Sequence, residues 1–318
     1  MTISKGFGAC VGWGVESTYG TAVTPTLWEE LVSSGLVEKQ SGIGQPTLRS
    51  RSVRQFAPSK LETSGSIEVL GNYEGAAFLG LIKAALGSAS SATVVDTTYT
   101  HTIVMADSLP ALTFEIKPDG GDLAKNMQYS GCKINKMSLS CEVDGPLKGV
   151  FDILGDGRRT IISANTTTYP THVGAQWDDL AATLGGTATK IYGWTLEVDN
   201  GLEVHYALGQ RYATANEPKS ERKVSGSIKC AMDGETIINL FKNQTETNGV
   251  FTFTGPLAGS TTPYSISFRV PRLVFNSDNQ APKDGGVQFL ELPFDAFYDV
   301  TNTLGEIVVT AVNKTTTI

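Results

Sequence analysis

The sequence predicts a mainly β fold made of two copies of one β–helix–β unit, and three observations carry that prediction. Most of the 318-residue chain alternates apolar and polar residues with a period of two. Only two short segments show helical spacing. Before each of them stands the same phrase, Ser-Gly-Ser-Ile, at residues 64–67 and 225–228, which are 161 positions apart (228 − 67). An offset near half the chain length marks an internal duplication.

The strands follow from the alternation. Residues 112–117 (LTFEIK) alternate, and so do residues 133–143 (KINKMSLSCEV). In the latter, Met137, Leu139, Cys141 and Val143 share one face, and Lys136, Ser138, Ser140 and Glu142 share the other. A turn at Asp144, Gly145 and Pro146 leads to residues 150–154, which predicts a hairpin. Further strands are expected at 194–198, 250–253, 265–270, 287–292 and 306–312. The first helix is expected over 73–86, with Phe78, Leu81, Ile82 and Leu86 on one face and Gly87 as its stop. The second is expected over 234–242, with Ile237, Ile238 and Phe241 aligned.

The 161-residue offset also carries Glu74 onto Glu235 and Leu79 onto Leu240. Downstream, the phrase from Pro110 to Ile116 is matched to the phrase from Pro263 to Val270, with a shorter intervening loop. The first domain is therefore placed at residues 1–160 and the second at 191–318. Residues 161–190, rich in Thr, Ala and Gly, read as a linker or loop. Two polar excursions, 88–100 and 206–221, lie beside the helix–strand cores.

Composition narrows the function. Charged residues make up only 18% of the chain, and glycine is abundant at 34 residues, which suits sheets joined by turns. The net charge of −7 argues against a protein that grips DNA through a basic surface. Cys10, Cys132, Cys141 and Cys230 match no zinc spacing and read as buried thiols of a reducing compartment. The N-terminus has no basic region followed by an apolar core, so no signal peptide is expected. The longest apolar stretch, 75–86, is too short to span a bilayer and contains Lys83.

No catalytic, cofactor-binding or metal-binding residues are predicted, and the chain does not read as an enzyme. His101, His172 and His205 are isolated, and neither HExxH nor GxSxG occurs. The glycines at 6, 8 and 12 lack dinucleotide-loop spacing. Asp119 and Asp122 read as a turn, since the further ligands of a calcium loop are missing.

The most specific phrases are residues 12–21 (GWGVESTYGT) followed by Pro25-Thr26, the Ser-Gly-Ser-Ile phrase, Lys83-Ala-Ala-Leu-Gly87, Tyr99-Thr-His-Thr102, and residues 129–135 (YSGCKIN). On these the chain resembles the major tail tube proteins of long-tailed bacteriophages. The resemblance covers the first half directly and the second through the repeat. It implies a β-sandwich or partial-barrel unit with one flanking helix. Copies would join edge to edge into rings that stack into a tube, with the inner sheets closing a continuous barrel through which DNA leaves the virion. Two units per chain then imply a trimeric, pseudo-hexameric ring. The resemblance also implies a virion protein assembled in the host cytoplasm, with tape measure, terminator and baseplate proteins as partners. Genomic DNA would pass without specific binding, no membrane would be involved, and no cofactor would be needed.

On that reading Glu68, Glu115, Ser138, Ser140 and Glu142 are candidates for the lumen lining, a plain solvated strand face being the other reading. Carboxylates there would repel phosphates. Trp13 and Tyr19 are candidate anchors of the N-terminal segment, on its own sheet or on a neighbouring subunit. Arg49, Arg51 and Arg54, with Lys60, form a basic cluster suited to an acidic neighbour across an interface. Another β-rich virion component (tail terminator, baseplate hub or decoration protein) and a carbohydrate-binding β-sandwich stay open as alternatives.

Overall fold

The computed structural model describes residues 8–45, 51–53, 55–90, 93–118, 125–163, 165–169, 171–231, 236–277, 289–301 and 305–318. The first half runs β1 (Cys10–Val15), β2 (Leu27–Glu30), β3 (Ser33–Ser34), β4 (Val37–Gln45), β5 (Gln55–Leu70), α1 (Ala76–Leu86), β6 (Gly87–Ala89), β7 (Thr93–Val95), β8 (Thr98–Met105), β9 (Leu112–Lys117), β10 (Lys125–Glu142), β11 (Lys148–Gly155) and β12 (Arg159–Ser163). A 3-10 turn at Trp177–Asp179 opens the second half. It continues with β13 (Leu180–Leu184), β14 (Thr187–Thr189), β15 (Ile191–Asp199), β16 (Leu202–His205), β17 (Ala215–Pro218), β18 (Lys223–Ala231), α2 (Thr236–Lys242), β19 (Thr247–Leu257), β20 (Pro263–Phe275), β21 (Phe289–Phe297) and β22 (Val308–Asn313).

All pairings among the described residues are antiparallel, and they build three connected sheet regions and a separate β16–β17 ribbon. One long sheet crosses both halves in the order β4–β5–β11–β10–β15–β18–β21. The N-terminal part of β10 bends away from it and joins β2–β1–β9–β10–β12. In the second half the order is β14–β13–β19–β20–β22–β8, and β6 and β7 pair with the outer side of β8. Among the described residues no pairing closes these regions into a barrel, so edges remain.

The pairing pattern of the first half recurs in the second. Strands β1, β2, β4, β5, β9, β10, β11 and β12 are matched in order by β13, β14, β15, β18, β19, β20, β21 and β22. β10 and β20 each bend, one part pairing with the preceding strand and the other with the following one. β6–β8 are an insertion in the first half, and β16–β17 stand in the place of the outer part of the β4–β5 ribbon, Leu202↔Pro218 to His205↔Ala215 matching Gly42↔Pro58 to Gln45↔Gln55. Two expectations change accordingly. The stretch 161–190 holds the end of β12 together with β13 and β14, which occupy the places of β1 and β2. The phrase beginning at Pro110 lies on β9, whose counterpart by pairing is β19 and not the β20 that begins at Pro263.

The repeated glycine has a steric cause. A Cβ on Gly65 would stand 2.1 Å from the Gly35 carbonyl oxygen, and one on Gly226 would stand 2.3 Å from that of Thr195. Gly35 and Thr195 are themselves equivalent, 160 positions apart (195 − 35). In both halves the strand passes close under a backbone carbonyl that cannot move aside. Gly226→Ala is expected to cost about 3 kcal/mol in urea unfolding. Gly193→Ala, whose nearest contact would be an ordinary 3.5 Å, is expected to be near neutral.

The long sheet turns its apolar side inward. Ile67, Val69, Phe151, Ile153, Met137, Leu139, Leu196, Val198, Ile228 and Leu292 are all buried. In the second half Trp194 packs against Phe251, Phe253 and Phe268, with ring centroids 5.4, 5.8 and 5.3 Å away. α1 is buried nearly all round, Gly80 leaving room for the Trp13 ring and Lys83 donating to the Ile318 carbonyl at 2.7 Å. It ends at Gly87 in the left-handed region (φ 107°), as the sequence predicts. Val143 breaks from the face of Met137, Leu139 and Cys141. It lies exposed where the chain leaves β10 for the turn at Asp144 (φ 67°).

The halves interlock. Besides the β10–β15 seam, β8 of the first half pairs with β22 of the second, from Val104↔Val308 to Tyr99↔Asn313. The Asp96 carboxylate accepts bonds from the Thr261 and Thr262 N–H groups at 2.7 and 3.2 Å. Buried His101 sits at the β8–β22 seam, with Nε2 3.1 Å from Asn313 Oδ1 and 2.9 Å from the Thr315 carbonyl.

Burial also sets a pH response. Glu29 on β2 is buried near the start of α1, and burial pushes its carboxyl up to about 7, partly offset by the bond from the Glu30 N–H. Asp156 is raised to about 6 for the same first reason, with Arg158 opposing. A folded pKa above the unfolded value favours folding at low pH, and that contribution is lost as pH rises through the folded pKa. The melting temperature of the isolated chain is therefore expected to fall between about pH 5 and pH 8. Glu29→Gln should flatten the slope and raise the melting temperature at the upper end.

Candidate functional site

Period-two alternation gives the long sheet a second face, and that face is polar. In one cross-strand row Glu68 stands opposite Val150, Val150 opposite Ser138, Ser138 opposite Glu197, Glu197 opposite Ser225, and Ser225 opposite Asp295. The adjoining row on one side runs through Ser66, Asp152, Lys136, Asp199 and Lys223. On the other side it runs through Leu70, Lys148, Ser140, Thr195 and Ser227. The β10–β15 seam makes this one surface shared by both halves.

The face is held by its own polar contacts. Lys136 bridges to Glu197 at 2.9 Å and Lys223 to Asp295 at 3.4 Å. The Thr195 and Ser227 hydroxyls meet at 2.9 Å, and Ser33 donates to Glu68 at 3.1 Å. Partial burial raises the Asp152 carboxyl, with Asp199 and Glu197 adding to the effect and Lys136 opposing it. Carboxylates are thus crowded enough to disfavour one another, with lysines spaced between them.

Four of the five residues proposed for a lumen, Glu68, Ser138, Ser140 and Glu142, lie together on this face. Glu115 does not, which corrects the expectation. It sits on β9, in the other sheet, fully buried. There it accepts hydrogen bonds from Asn126 and, at 2.6 Å, from Asn165, whose segment covers that side of the strand. Asp152, Glu197, Asp199 and Asp295 were not anticipated on the face. Their signal was their alternation with Phe151, Leu196, Val198 and Phe294.

Of the two placings expected for Trp13, the structure shows the one within its own chain. Trp13 is a core residue of β1, buried against Gly80 of α1. Tyr19 is half-buried within its own chain, and burial raises its hydroxyl well above the usual range, with Asp156 and Glu16 adding to the effect. The loop beside it is tied down by Arg158, which donates to the Gly20 carbonyl at 2.6 Å. Arg51 is exposed beside the β4–β5 ribbon; Arg49 and Arg54 lie outside the described residues. Lys60 bridges to Glu62 at 2.5 Å and lies over the Tyr206 ring.

All four cysteines are buried free thiols. Among the described residues no group of three His, Cys, Asp or Glu is placed to hold a metal, and no helix is long and apolar enough to cross a membrane. The loop containing Asp119 and Asp122, and the predicted strand residues 287 and 288, lie outside the described residues.

The protein is thus mainly β, with two copies of one unit joined into shared antiparallel sheets whose edges stay unpaired among the described residues. The chain belongs to the phage tail tube family: the family model described as phage tail tube protein matches residues 6–296. It is a structural protein of the phage tail tube, and so a component of the virion tail. No curated protein matches it.

Proposed function

We propose that the chain assembles head to tail into rings that stack into the tail tube, with the polar face of the long sheet turned to the channel. The observation that carries this is the β10–β15 seam: one unit already extends the sheet of the other, and the polar rows run on across it. The first unit ends with β12 and the second begins with β13. Three chains then present six units around the axis. Open edges are a liability unless paired, and ring closure pairs them.

The role is structural and non-catalytic: a conduit for DNA ejection. Carboxylates on the channel face keep phosphates from sticking, so DNA slides without specific binding. Assembly takes place in the host cytoplasm, with tape measure, terminator and baseplate proteins as partners. Mass measurement of an isolated ring is expected to give three full-length chains. Six chains would refute the stoichiometry, and a lone ring that never stacks would favour a terminator.

A further inference from the structure

We propose, on the ring reading above, that the outer edge of β12 takes up an extended segment of a partner protein as one further antiparallel strand. The internal duplication supplies the comparison. β12 and β22 are equivalent by register: Ile116 faces Met127 and Met127 faces Ile161, as Phe251 faces Phe268 and Phe268 faces Val309.

In the second half this edge is covered. β8 pairs with β22 and places Ile103 opposite Val309, and both side chains are fully buried. β8 comes from the insertion between α1 and β9, a stretch of 25 residues, 87–111 (111 − 86).

In the first half the same edge is bare. Among the described residues β12 pairs with β10 alone. Ile161 stands in the place of buried Val309 and is exposed by 62%. Thr160 and Ser163 beside it are exposed as well. The run Thr160-Ile161-Ile162-Ser163 has no charge and is β-branched at three of its four positions, which is the character of a strand that pairs.

Ring closure does not cover this edge. In a head-to-tail ring the unit before each first unit is the second unit of another copy. That unit joins α2 to β19 through four residues, 243–246 (246 − 242), whereas β8 alone has eight. One β12 edge per chain therefore stays open in the ring. It lies in the layer behind the long sheet, on the outside of the tube.

β8 also defines what fits. Its sequence, Thr-Tyr-Thr-His-Thr-Ile-Val-Met, has no carboxylate, lysine or arginine. An extended segment of this kind, apolar opposite Ile161, pairs its main chain with the open N–H and C=O groups and buries the isoleucine. The partner is a virion protein that reaches the tube from outside with such a segment free.

The test uses the full-length chain, as monomers and as tubes, and a dye-labelled synthetic peptide of the β8 sequence, residues 98–105. The peptide should bind both forms and saturate at one per chain. Ile161→Lys, at an exposed position, should melt like the wild type and weaken binding at least about tenfold, as expected when one isoleucine is no longer buried. Ile103→Lys in the peptide should weaken it as much. Binding that ignores both changes, or no binding to either form, overturns the proposal and leaves the tube reading standing. Binding to monomers but not to tubes shows the edge closed by a second copy and overturns the outside partner. Binding as described by a chain that forms no tubes overturns the ring reading and upholds the edge as a strand acceptor.

Discussion

Phage carrying Glu68→Lys, Glu142→Lys and Asp152→Lys together are expected to build normal tails and to release their DNA far more slowly. The three carboxylates lie on the polar face of the long sheet, outside the core, so the fold should persist. Surface changes of this kind usually shift stability by no more than about 0.5 kcal/mol each. The electrostatic change is much larger, because every subunit then presents lysines where it presented carboxylates. Lysines along a channel hold phosphates by counterion release, and such non-specific binding reaches a Kd of about 10⁻⁴ to 10⁻⁶ M at physiological salt. Release triggered in vitro should slow by at least about tenfold and recover as salt is raised. Unchanged release from normal tails, even if the tubes now bind DNA, would put this face on the outside.

Trp194→Ala is expected to cost about 3–5 kcal/mol, the largest loss of any single truncation in the second half. Trp194 is fully buried and touches three phenylalanines on β19 and β20, so its removal opens a cavity between the two layers. The nearby Trp177→Ala serves as the contrast, since Trp177 is substantially exposed, and it should cost well under 1 kcal/mol. Because β8 and β22 join the halves, and β10 and β15 join them again, unfolding by urea should remain a single transition in both variants. Two separate transitions in Trp194→Ala would mean that the halves fold independently.

Much of this architecture is legible in the residues. The Ser-Gly-Ser-Ile phrase recurs because only glycine fits under the Gly35 and Thr195 carbonyls, so the duplication left a mark that drift in neighbouring positions did not erase. The helix stop at Gly87 and the two faces of β10 were read for similar reasons. What failed depended on contacts from far along the chain. β13 and β14 are short, small-residue strands joined by Gly185 and Gly186 at φ 56° and 80°, and their composition resembles a linker. β9 and β20 are both alternating strands after a proline, and alternation alone does not say which partner a strand chooses. Glu115 alternates with Phe114 and Ile116 as an exposed residue would, and only the segment around Asn165 covers it. Gly12 makes room for the Trp28 ring and Gly80 for that of Trp13, close approaches that only the packed fold reveals.

The most direct test of the assembly is negative-stain electron microscopy of the purified chain at rising concentration. Stacked rings or hollow tubes are expected, and averaged end views should show six lobes with threefold symmetry. Monodisperse monomers at every concentration, even with the other tail proteins added, would contradict the account.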